Sequence, residues 1–375
     1  MAKPKLRFPE FADEWKEKKA EELFENITIK GQENKPILAV TQDRGVLLRE
    51  ECGIDIKFDE KSLSNYKLVV PGNFIISLRS FQGGLELSNL EGIVSPAYTI
   101  LNNIMPVDKD FYKLYFKSYA FIKKLNIAVE GIRDGKQISY TSFKTIKLPT
   151  TIITEQQKIA DFLSKIDEKI ANQEVVVSDY EEMKKGLMQK IFSQEVRFKA
   201  DDGSDYLAWK TRIMKDCLKY EQPTKYIVSS EKYNDSYETP VLTANKGFVL
   251  GYTDDKDGIY DKGNVIIYDD FTMDAKYVNF NFKVKSSAIK ILTEREGINL
   301  YFIFLYLQNL KLQQAEHARS YISKIEPMSI NIPCLEEQQK IADCLSTMDR
   351  KIEAEKKILE DWKELKKALL QQMFV

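Results

Sequence analysis

Apolar and charged residues recur with the same spacing in two long stretches of the chain. In residues 155–192, and again in residues 337–374, apolar side chains follow one another at steps of four and three residues. This spacing is typical of a helix with one heptad seam. The pattern therefore predicts two long helices, each about 57 Å in length at ~1.5 Å per residue.

The two stretches are copies of one another. They begin EQQKIADFLSKIDEKI and EQQKIADCLSTMDRKI, and they align without a gap at a separation of 182 positions. Two polar seam positions are shared, since Gln173 matches Glu355 and Lys184 matches Lys366. Polar seam residues fix register at a cost in stability, so we expect the helices to pack on each other as an antiparallel coiled coil, rather than on separate cores. The predicted apolar seams are Ile159, Leu163, Ile166, Ile170, Val177, Tyr180, Leu187 and Ile191, and Ile341, Leu345, Met348, Ile352, Leu359, Trp362, Leu369 and Met373.

The remainder of the chain repeats more faintly. Arg7 and Trp15 correspond to Arg197 and Trp209, and residues 72–76 resemble residues 263–267 at a separation of 191 positions. Short runs rich in Val, Ile, Tyr and Phe, separated by Gly, Pro, Asn and Asp, predict strands, with helical stretches between them. The predicted fold class is α+β with an internal pseudo-two-fold repeat. Globular domains are expected in residues 1–150 and 196–332, and repeated spacer helices in residues 151–195 and 333–375.

Composition narrows the class of protein. The chain has 375 residues, of which 43% are hydrophobic and 30% charged, as in globular proteins. No apolar run reaches the ~18 residues that a membrane helix needs, and the N-terminus lacks the apolar core of a signal peptide. The four cysteines lie far apart without metal-ligand spacing. We therefore expect a cytoplasmic protein with reduced thiols.

Motifs for catalysis are missing from the sequence. His317 is the only histidine, and no GxxxxGK[ST], GxSxG, HExxH or CxxC motif occurs. The abundant carboxylates are scattered along the helices, which is typical of a solvated face. The sequence therefore predicts a non-catalytic chain that holds no metal or cofactor. The net charge of −1 is weak for a nucleic-acid-binding protein, whose domains are usually basic.

The order of variable domain, repeated helix, variable domain and repeated helix resembles the specificity subunit of type I restriction–modification enzymes. The stretches LRFPEF, KLPTTIITEQQKIADFLSKID and NIPCLEEQQKIADCLSTMD carry the resemblance, which covers nearly the whole chain. It implies two target-recognition domains, each reading half of a bipartite double-stranded DNA target, with the helices as spacer. It also implies two methyltransferase subunits and translocating restriction subunits as partners. S-adenosylmethionine, ATP and Mg are then expected in those partners.

Base edges are read by long polar side chains and hydroxyl groups at loop tips, which yields the candidate DNA-binding residues. Asp269 and Asp270, aligned with Leu78 and Arg79, could accept from cytosine amino groups or hold a loop. In the first domain the candidates are Gln42, Arg44, Arg79, Ser80, Gln82, Arg133, Lys136, Gln137 and Tyr140. In the second they are Asn245, Lys246, Tyr252, Thr272, Lys276, Tyr277, Arg319, Tyr321 and Lys324.

A different function stays open at this point, namely a pseudo-symmetric coiled-coil scaffold for two protein partners that reads no DNA. The near-neutral charge and the acidic first helix favour a scaffold slightly. The divergence of the globular domains beside two closely matched helices favours the specificity subunit, because identical partners give the domains little reason to differ.

Overall fold

The computed structural model describes residues 4–53, 60–129, 138–243, 247–310 and 320–374. The chain divides into two compact units, one formed by Met1–Glu174 with Lys357–Val375 and the other by Val175–Lys356. Each unit thus combines a globular α+β domain with the first half of one long helix and the second half of the other. This division cuts the spacer helices in the middle, whereas the sequence boundaries kept them whole.

The first unit is built on an antiparallel sheet with strand order β2-β9-β6-β7. One face of the sheet packs on helices through a core rich in aromatic residues, and the other face carries a smaller apolar cluster under the β3–β4 hairpin. The strands are β1 (Lys16–Lys19), β2 (Phe24–Ile27), β3 (Leu38–Thr41), β4 (Gly45–Leu48), β5 (Lys67–Val69), β6 (Phe74–Ile76), β7 (Glu86–Leu87), β8 (Gly92–Val94), β9 (Thr99–Asn103) and β10 (Lys147–Thr150). The helices are α1 (Ser80–Gly83), α2 (Lys109–Lys117), α3 (Tyr119–Val129), α4 (Tyr140–Phe143) and the long α5 (Ile153–Phe192).

The second unit repeats this plan with the antiparallel order β12-β18-β15-β16. Its sheet also separates a helix-side core from a second apolar cluster on the opposite face. The strands are β11 (Lys210–Ile213), β12 (Leu218–Glu221), β13 (Thr239–Leu242), β14 (Val249–Thr253), β15 (Val265–Asp269), β16 (Ala275–Val278), β17 (Lys283–Val284), β18 (Ile289–Glu294) and β19 (Ser329–Ile332). The helices are α6 (Leu300–Asn309) and the long α7 (Leu335–Met373).

The strand registers correct one detail of the repeat. Phe74 lies opposite Leu101, and Ile266 lies opposite Leu292. Phe74 and Ile266 both face the helix-side core of their unit. Strands β6 and β15 therefore correspond at a separation of 192 positions, one more than the sequence indicated. Asp270 accordingly occupies the place of Leu78.

The two long helices confirm the prediction of an antiparallel pair. In the first unit, Lys366 pairs with Asp167, and Lys363 Nζ lies 2.8 Å from Glu174 Oε1. Residue numbers fall along one helix as they rise along the other, and the same holds in the second unit between residues 181–184 and 349–356. None of the predicted seam positions is exposed.

The seam lysines pair with aspartates of the opposite helix. Lys184 Nζ lies 2.5 Å from Asp349 Oδ1, and Lys366 makes the equivalent pair with Asp167. The two lysines are 182 positions apart in the sequence, and so are the two aspartates. The shared polar positions thus place one ion pair in each unit, which is how polar seam residues specify register.

The repeated EQQ motif ties each long helix to the domain that precedes it. Glu155 is buried and accepts from Arg7 Nε at 2.6 Å and from Arg7 Nη2 at 2.9 Å. Glu337 is equally buried and accepts from Arg197 Nε and Nη2 at 3.1 and 2.7 Å. A buried carboxylate needs such a partner, so the motif explains why both helices keep the same start.

The next residue of the motif completes the anchor. Gln156 accepts from the backbone N–H of Asp108 at 2.9 Å, and Gln338 accepts from that of Asn299 at 2.9 Å. Asp108 and Asn299 are themselves the N-caps of α2 and α6. The motif therefore holds the start of the long helix against the start of a short helix in each domain, and its repetition has a structural cause.

Candidate nucleic-acid interface

Two candidate stretches of the first domain lie side by side. The turn between β3 and β4 carries Gln42, and its side chain packs so closely on Gly83 that a Cβ atom there would collide with Gln42 Oε1. The side-chain oxygen and nitrogen of Gln42 are buried and have no hydrogen-bond partner among the described residues. Sequence positions about 40 residues apart are thus brought into one surface, which includes Arg79 and Gln82.

The exposed residues of this surface differ in what their side chains do. Arg44 donates to the backbone oxygens of Glu51 and Cys52 at 3.2 and 2.7 Å, so it braces its own hairpin. Arg79 is exposed, and its guanidinium makes no hydrogen bond or ion pair with the residues that the structure describes. Gln82 is exposed beside it. Among the described residues of this cluster, Arg79 and Gln82 are therefore the exposed side chains that could contact a ligand.

Two further candidates of the first domain have structural contacts. Ser80 is buried, and its Oγ accepts from the backbone N–H of Ser77 at 2.9 Å. Tyr140 is half-buried and donates from its hydroxyl to the backbone oxygen of Phe24 at 2.9 Å. Neither enters the interface proposed below. Arg133, Lys136 and Gln137 lie outside the described residues.

A groove of about 480 Å³ borders the β3–β4 turn on the side of the long helices. Its wall includes Glu86, Lys117 and the seam pair of Asp167 and Lys366. Burial raises the pKa of Glu86, although its ion pair with Lys117 opposes that shift. The wall also carries Lys113, and its four basic and three acidic side chains leave the groove with a small positive excess.

In the second domain, Asp269 and Asp270 hold a loop. Asp269 Oδ1 accepts from the backbone N–H groups of Phe271 and Thr272 at 2.8 and 3.3 Å. Asp270 is buried, and its Oδ1 accepts from the N–H groups of Ser320 and Tyr321 at 3.1 and 2.9 Å. The second of the two roles considered from the sequence is thus the one that these contacts describe.

Asp270 also brings candidates of the second domain together. It follows β15 in the turn that carries the exposed Thr272, and it contacts the segment that leads to the exposed Lys324. Lys276 is exposed on β16, with its ammonium 3.0 Å from Asp274. Thr272 and Lys276 thus lie on or after the turn that follows β15, and Lys324 lies on the segment that Asp270 connects to this turn.

The other candidates of the second domain lie in less accessible places. Tyr321 is fully buried in the core, and Tyr277 is half-buried against the ring of Tyr301 at 4.9 Å. Tyr252 is half-buried in β14. Asn245, Lys246 and Arg319 lie outside the described residues.

Sequence reasoning passed over two exposed residues beside Lys324. Ile322 and Ser323 are exposed in the turn Tyr321–Ile325, and of the two only the aliphatic Ile322 lacks the polar groups by which the candidates were chosen. The sequence does carry a signal for this turn, because the stretch from Tyr321 to Glu337 is one residue longer than the stretch from Tyr140 to Glu155.

Within the described residues, no group of His, Cys, Asp and Glu has an arrangement that could bind a metal ion. Among the helices of the same residues, none combines the length and apolarity required to cross a membrane.

The chain is a duplicated protein, in which each half contributes an α+β domain and one long helix. The family model of the type I restriction modification DNA specificity domain matches residues 57–175 and again residues 206–363. The chain therefore belongs to the type I restriction–modification DNA specificity family, as the sequence pattern predicted. This family is described by DNA specificity rather than by catalysis, which agrees with the predicted non-catalytic chain.

Individual relatives support the same assignment. The chain is 46% identical over 131 residues to the specificity subunit of the Escherichia coli type I restriction enzyme EcoR124I/EcoR124II. That match spans 33% of this chain and 32% of the relative. A specificity subunit of the type I restriction enzyme MjaX from Methanocaldococcus jannaschii is 24% identical over 296 residues, covering 72% of this chain and 67% of the relative.

Solved structures share the fold along the whole chain. The type I restriction–modification S subunit of M. genitalium superposes with a TM-score of 0.62 at 15% identity, over 100% of this chain and 99% of that one. A chain from a structural study of assembly and conformational transition in a type I system gives 0.56 at 14% identity, over 96% and 97%. The predicted fold of two domains and paired helices is thus confirmed.

Proposed function

We propose that this chain is the DNA-reading subunit of a type I restriction–modification complex, with each domain reading one half of a bipartite, gapped target. The proposal rests on a contrast between the two units: the contacts that hold the long helices are shared, whereas the exposed turns of the domains differ. The anchors at Glu155 and Glu337 and the seam ion pairs are the same in both units. The turn after β6, by contrast, exposes Leu78 and Arg79, whereas the turn after β15 buries Asp270 at the place of Leu78. Shared helix contacts would hold both domains in the same way, and their different exposed turns would let each domain read a different half-site.

The long helices would set the distance between the half-sites. Each helix is continuous, with 40 residues in α5 and 39 in α7. At ~1.5 Å per residue, one heptad adds about 10 Å, which is the length of roughly three base pairs of DNA at ~3.4 Å per pair. The number of helical residues then determines the gap in the recognised sequence.

The partners follow from the same proposal. Two methyltransferase subunits would dock on the outer faces of the paired helices, and translocating restriction subunits would join that core. S-adenosylmethionine, ATP and Mg would be bound by those partners. The net charge of −1 is compatible with DNA binding if the partners share the phosphate contacts, which supply much of the affinity.

A paired insertion tests the spacing. Seven residues of the local helical sequence are added after Glu174 and again after Lys356, the positions where the units divide, so that the helix contacts inside each unit stay in register. Sequencing of methylated sites should show the same half-sites with a longer gap. The control carries seven extra residues in the exposed turn after Asp202 and should keep the original gap. An unchanged gap in the helix variant would rule out the spacer.

The scaffold remains the second candidate because of the near-neutral charge. The assembled complex is incubated with a random DNA pool, and bound or methylated molecules are sequenced. A selected bipartite motif supports DNA reading. Partner binding without any selected motif would favour the scaffold and contradict the proposal.

A further inference from the structure

The segment Tyr321–Ile325 of the second domain is a π-turn, whereas the corresponding turn of the first domain, at Tyr140–Phe143, is one residue shorter. Glu326 N–H donates to the carbonyl oxygen of Tyr321 five residues back, at 2.9 Å. In the first domain, Lys144 N–H donates to that of Tyr140 only four residues back, at 2.8 Å. The second domain therefore holds one additional residue in this turn.

Backbone contacts on the C-terminal side show that the two turns are equivalent. Glu21 N–H donates to Lys144 O at 3.2 Å, and Lys215 N–H donates to Glu326 O at 3.0 Å. The residues just before, Phe143 and Ile325, are both fully buried in the helix-side cores. The additional residue therefore falls between Tyr321 and Ile325. Single-residue π-bulges occur frequently at functional sites.

The π-turn presents three consecutive side chains to solvent. Ile322 is 62% exposed, and Ser323 and Lys324 are exposed next to it. An aliphatic side chain can contact a thymine methyl group, a hydroxyl can donate to or accept from a base edge, and an ammonium can donate to guanine O6 and N7. Single exposed apolar residues are common on protein surfaces, so the place of Ile322 beside Lys324 in this turn, rather than its exposure alone, makes it a candidate for such a contact.

A buried polar cluster fixes the start of this turn. The carboxylate of Asp270 accepts from the N–H groups of Ser320 and Tyr321, and its Oδ2 lies 3.2 Å from Lys290 Nζ. Both charged side chains are nearly fully buried. The hydroxyl of Ser320 donates to the carbonyl oxygen of Asp270 at 2.9 Å and lies 2.9 Å from the hydroxyl of Tyr268.

The first domain has no such ion pair at the corresponding positions. Strand register places Leu78 where Asp270 lies and Thr99 where Lys290 lies. A buried ion pair is costly unless its geometry and hydrogen bonds are well satisfied, so its presence in one domain alone points to a local task. Holding a base-reading turn to within about 0.5 Å is such a task.

We infer that the π-turn Tyr321–Ile325 is a base-reading element of the second domain, with Ile322 and Lys324 as its specificity-determining residues. Asp270 and Lys290 are its positioning residues. This inference rests on the proposed function, because it names the side chains by which one half-site is read. It adds the aliphatic Ile322 to the polar candidates predicted from the sequence, and it assigns a role to the buried Asp270.

The reading residues are tested in the complete complex by methylation of a randomised DNA pool followed by sequencing. Ile322→Ala and Lys324→Ala should each lower discrimination at one base pair by roughly 5- to 150-fold, the range of a lost base contact. Both changes should fall in the same half-site and leave the other intact. Arg79→Ala serves as the matched variant of the first domain and should leave that half-site unchanged.

A deletion addresses the additional residue itself. Removing Ser323 makes the turn as short as its counterpart in the first domain. The variant should fold, with a melting temperature close to that of the wild type, and should lose discrimination across the affected half-site only. A uniform loss over all sequences, a change in both half-sites, or no change would overturn the assignment of the π-turn. If the wild-type complex selects no bipartite motif, the proposed function fails as well.

The positioning pair needs a test that separates geometry from stability. Asp270→Asn keeps an oxygen for the two N–H groups but leaves Lys290 without its anion, so all positions of the same half-site should become degenerate by 10-fold or more. Adding Lys290→Met removes the unpaired charge and should restore discrimination. Asp261→Asn, at an exposed aspartate just before β15, is the control and should change nothing. Lower activity with an unchanged motif, or absence of rescue, would contradict the positioning role.

Discussion

Replacing Glu155 with Ala tests whether the repeated EQQ motif is an anchor of the fold. The carboxylate is buried and accepts from both Arg7 nitrogens, from Trp15 Nε1 at 3.2 Å and from the hydroxyl of Thr151. The Arg7 side chain is only 9% exposed. Without Glu155, a guanidinium and an indole N–H stay in a site that water hardly reaches.

The expected loss of stability follows from this burial. Removing one partner of a buried ion pair costs about 3–5 kcal/mol, and a lost indole hydrogen bond adds about 1 kcal/mol. Glu337→Ala is the matched variant, and there the Arg197 side chain is 27% exposed. Water can solvate much of that guanidinium, so its cost should be about 2–3 kcal/mol, in the range of hydrogen bonds to charged groups.

Hydrogen exchange read by mass spectrometry measures the opening free energy of each unit in the full chain. Glu155→Ala should accelerate exchange in β1 and β10 and leave the second unit unchanged, and Glu337→Ala should do the reverse in β11 and β19. Costs below about 1 kcal/mol for both variants would refute the anchor. Full protection together with lost methylation would place the motif on a functional surface instead.

Two further predictions concern the contacts of Glu155, and a third concerns Gly84. Burial alone would raise the pKa of Glu155, but the hydrogen bonds from Arg7, Thr151 and Trp15 outweigh it and lower the pKa. The contribution of Glu155 to the stability of the fold is therefore present above the ordinary Glu pKa of about 4.3 and is lost below it. Glu155→Gln should accordingly reduce the loss of melting temperature between about pH 5 and pH 3. Trp15→Phe should lower the free energy of unfolding in urea by about 1–2 kcal/mol. Trp209→Phe should lower it less, because the indole N–H of Trp209 has no partner among the described residues. Equal losses for the two variants would contradict the contact between Trp15 and Glu155. Gly84 has φ +82° and ψ −165°, and its Cβ would collide with the Phe116 carbonyl oxygen, so Gly84→Ala should cost more than 3 kcal/mol, beyond the ~1–3 kcal/mol of backbone strain alone. Gly203→Ala, at φ +84° in open space, should stay within that strain; equal melting temperatures would refute the steric argument.

The sequence predicted the long helices well because a heptad seam is a local, repeated signal. Lys184 and Lys366 were recognised as register residues from their spacing alone, although their aspartate partners were not. The role of Asp270 depends on Ser320 and Tyr321, about 50 residues away, and no sequence period encodes that contact. The burial of Ser80 and Tyr321 was missed for the same reason, since side-chain chemistry indicates what a residue can bind but not whether the fold exposes it.

The seam ion pairs explain how one duplicated helix specifies its own orientation. Each copy carries an aspartate and, 17 positions later, a lysine, as in Asp167 with Lys184 and Asp349 with Lys366. In a parallel, in-register pair, equivalent residues would face each other, so Asp167 would oppose Asp349 and the lysines would oppose one another. Like charges in a seam are destabilising, whereas the antiparallel arrangement matches each aspartate with a lysine. A single acid–base spacing, copied once, therefore favours the antiparallel pair.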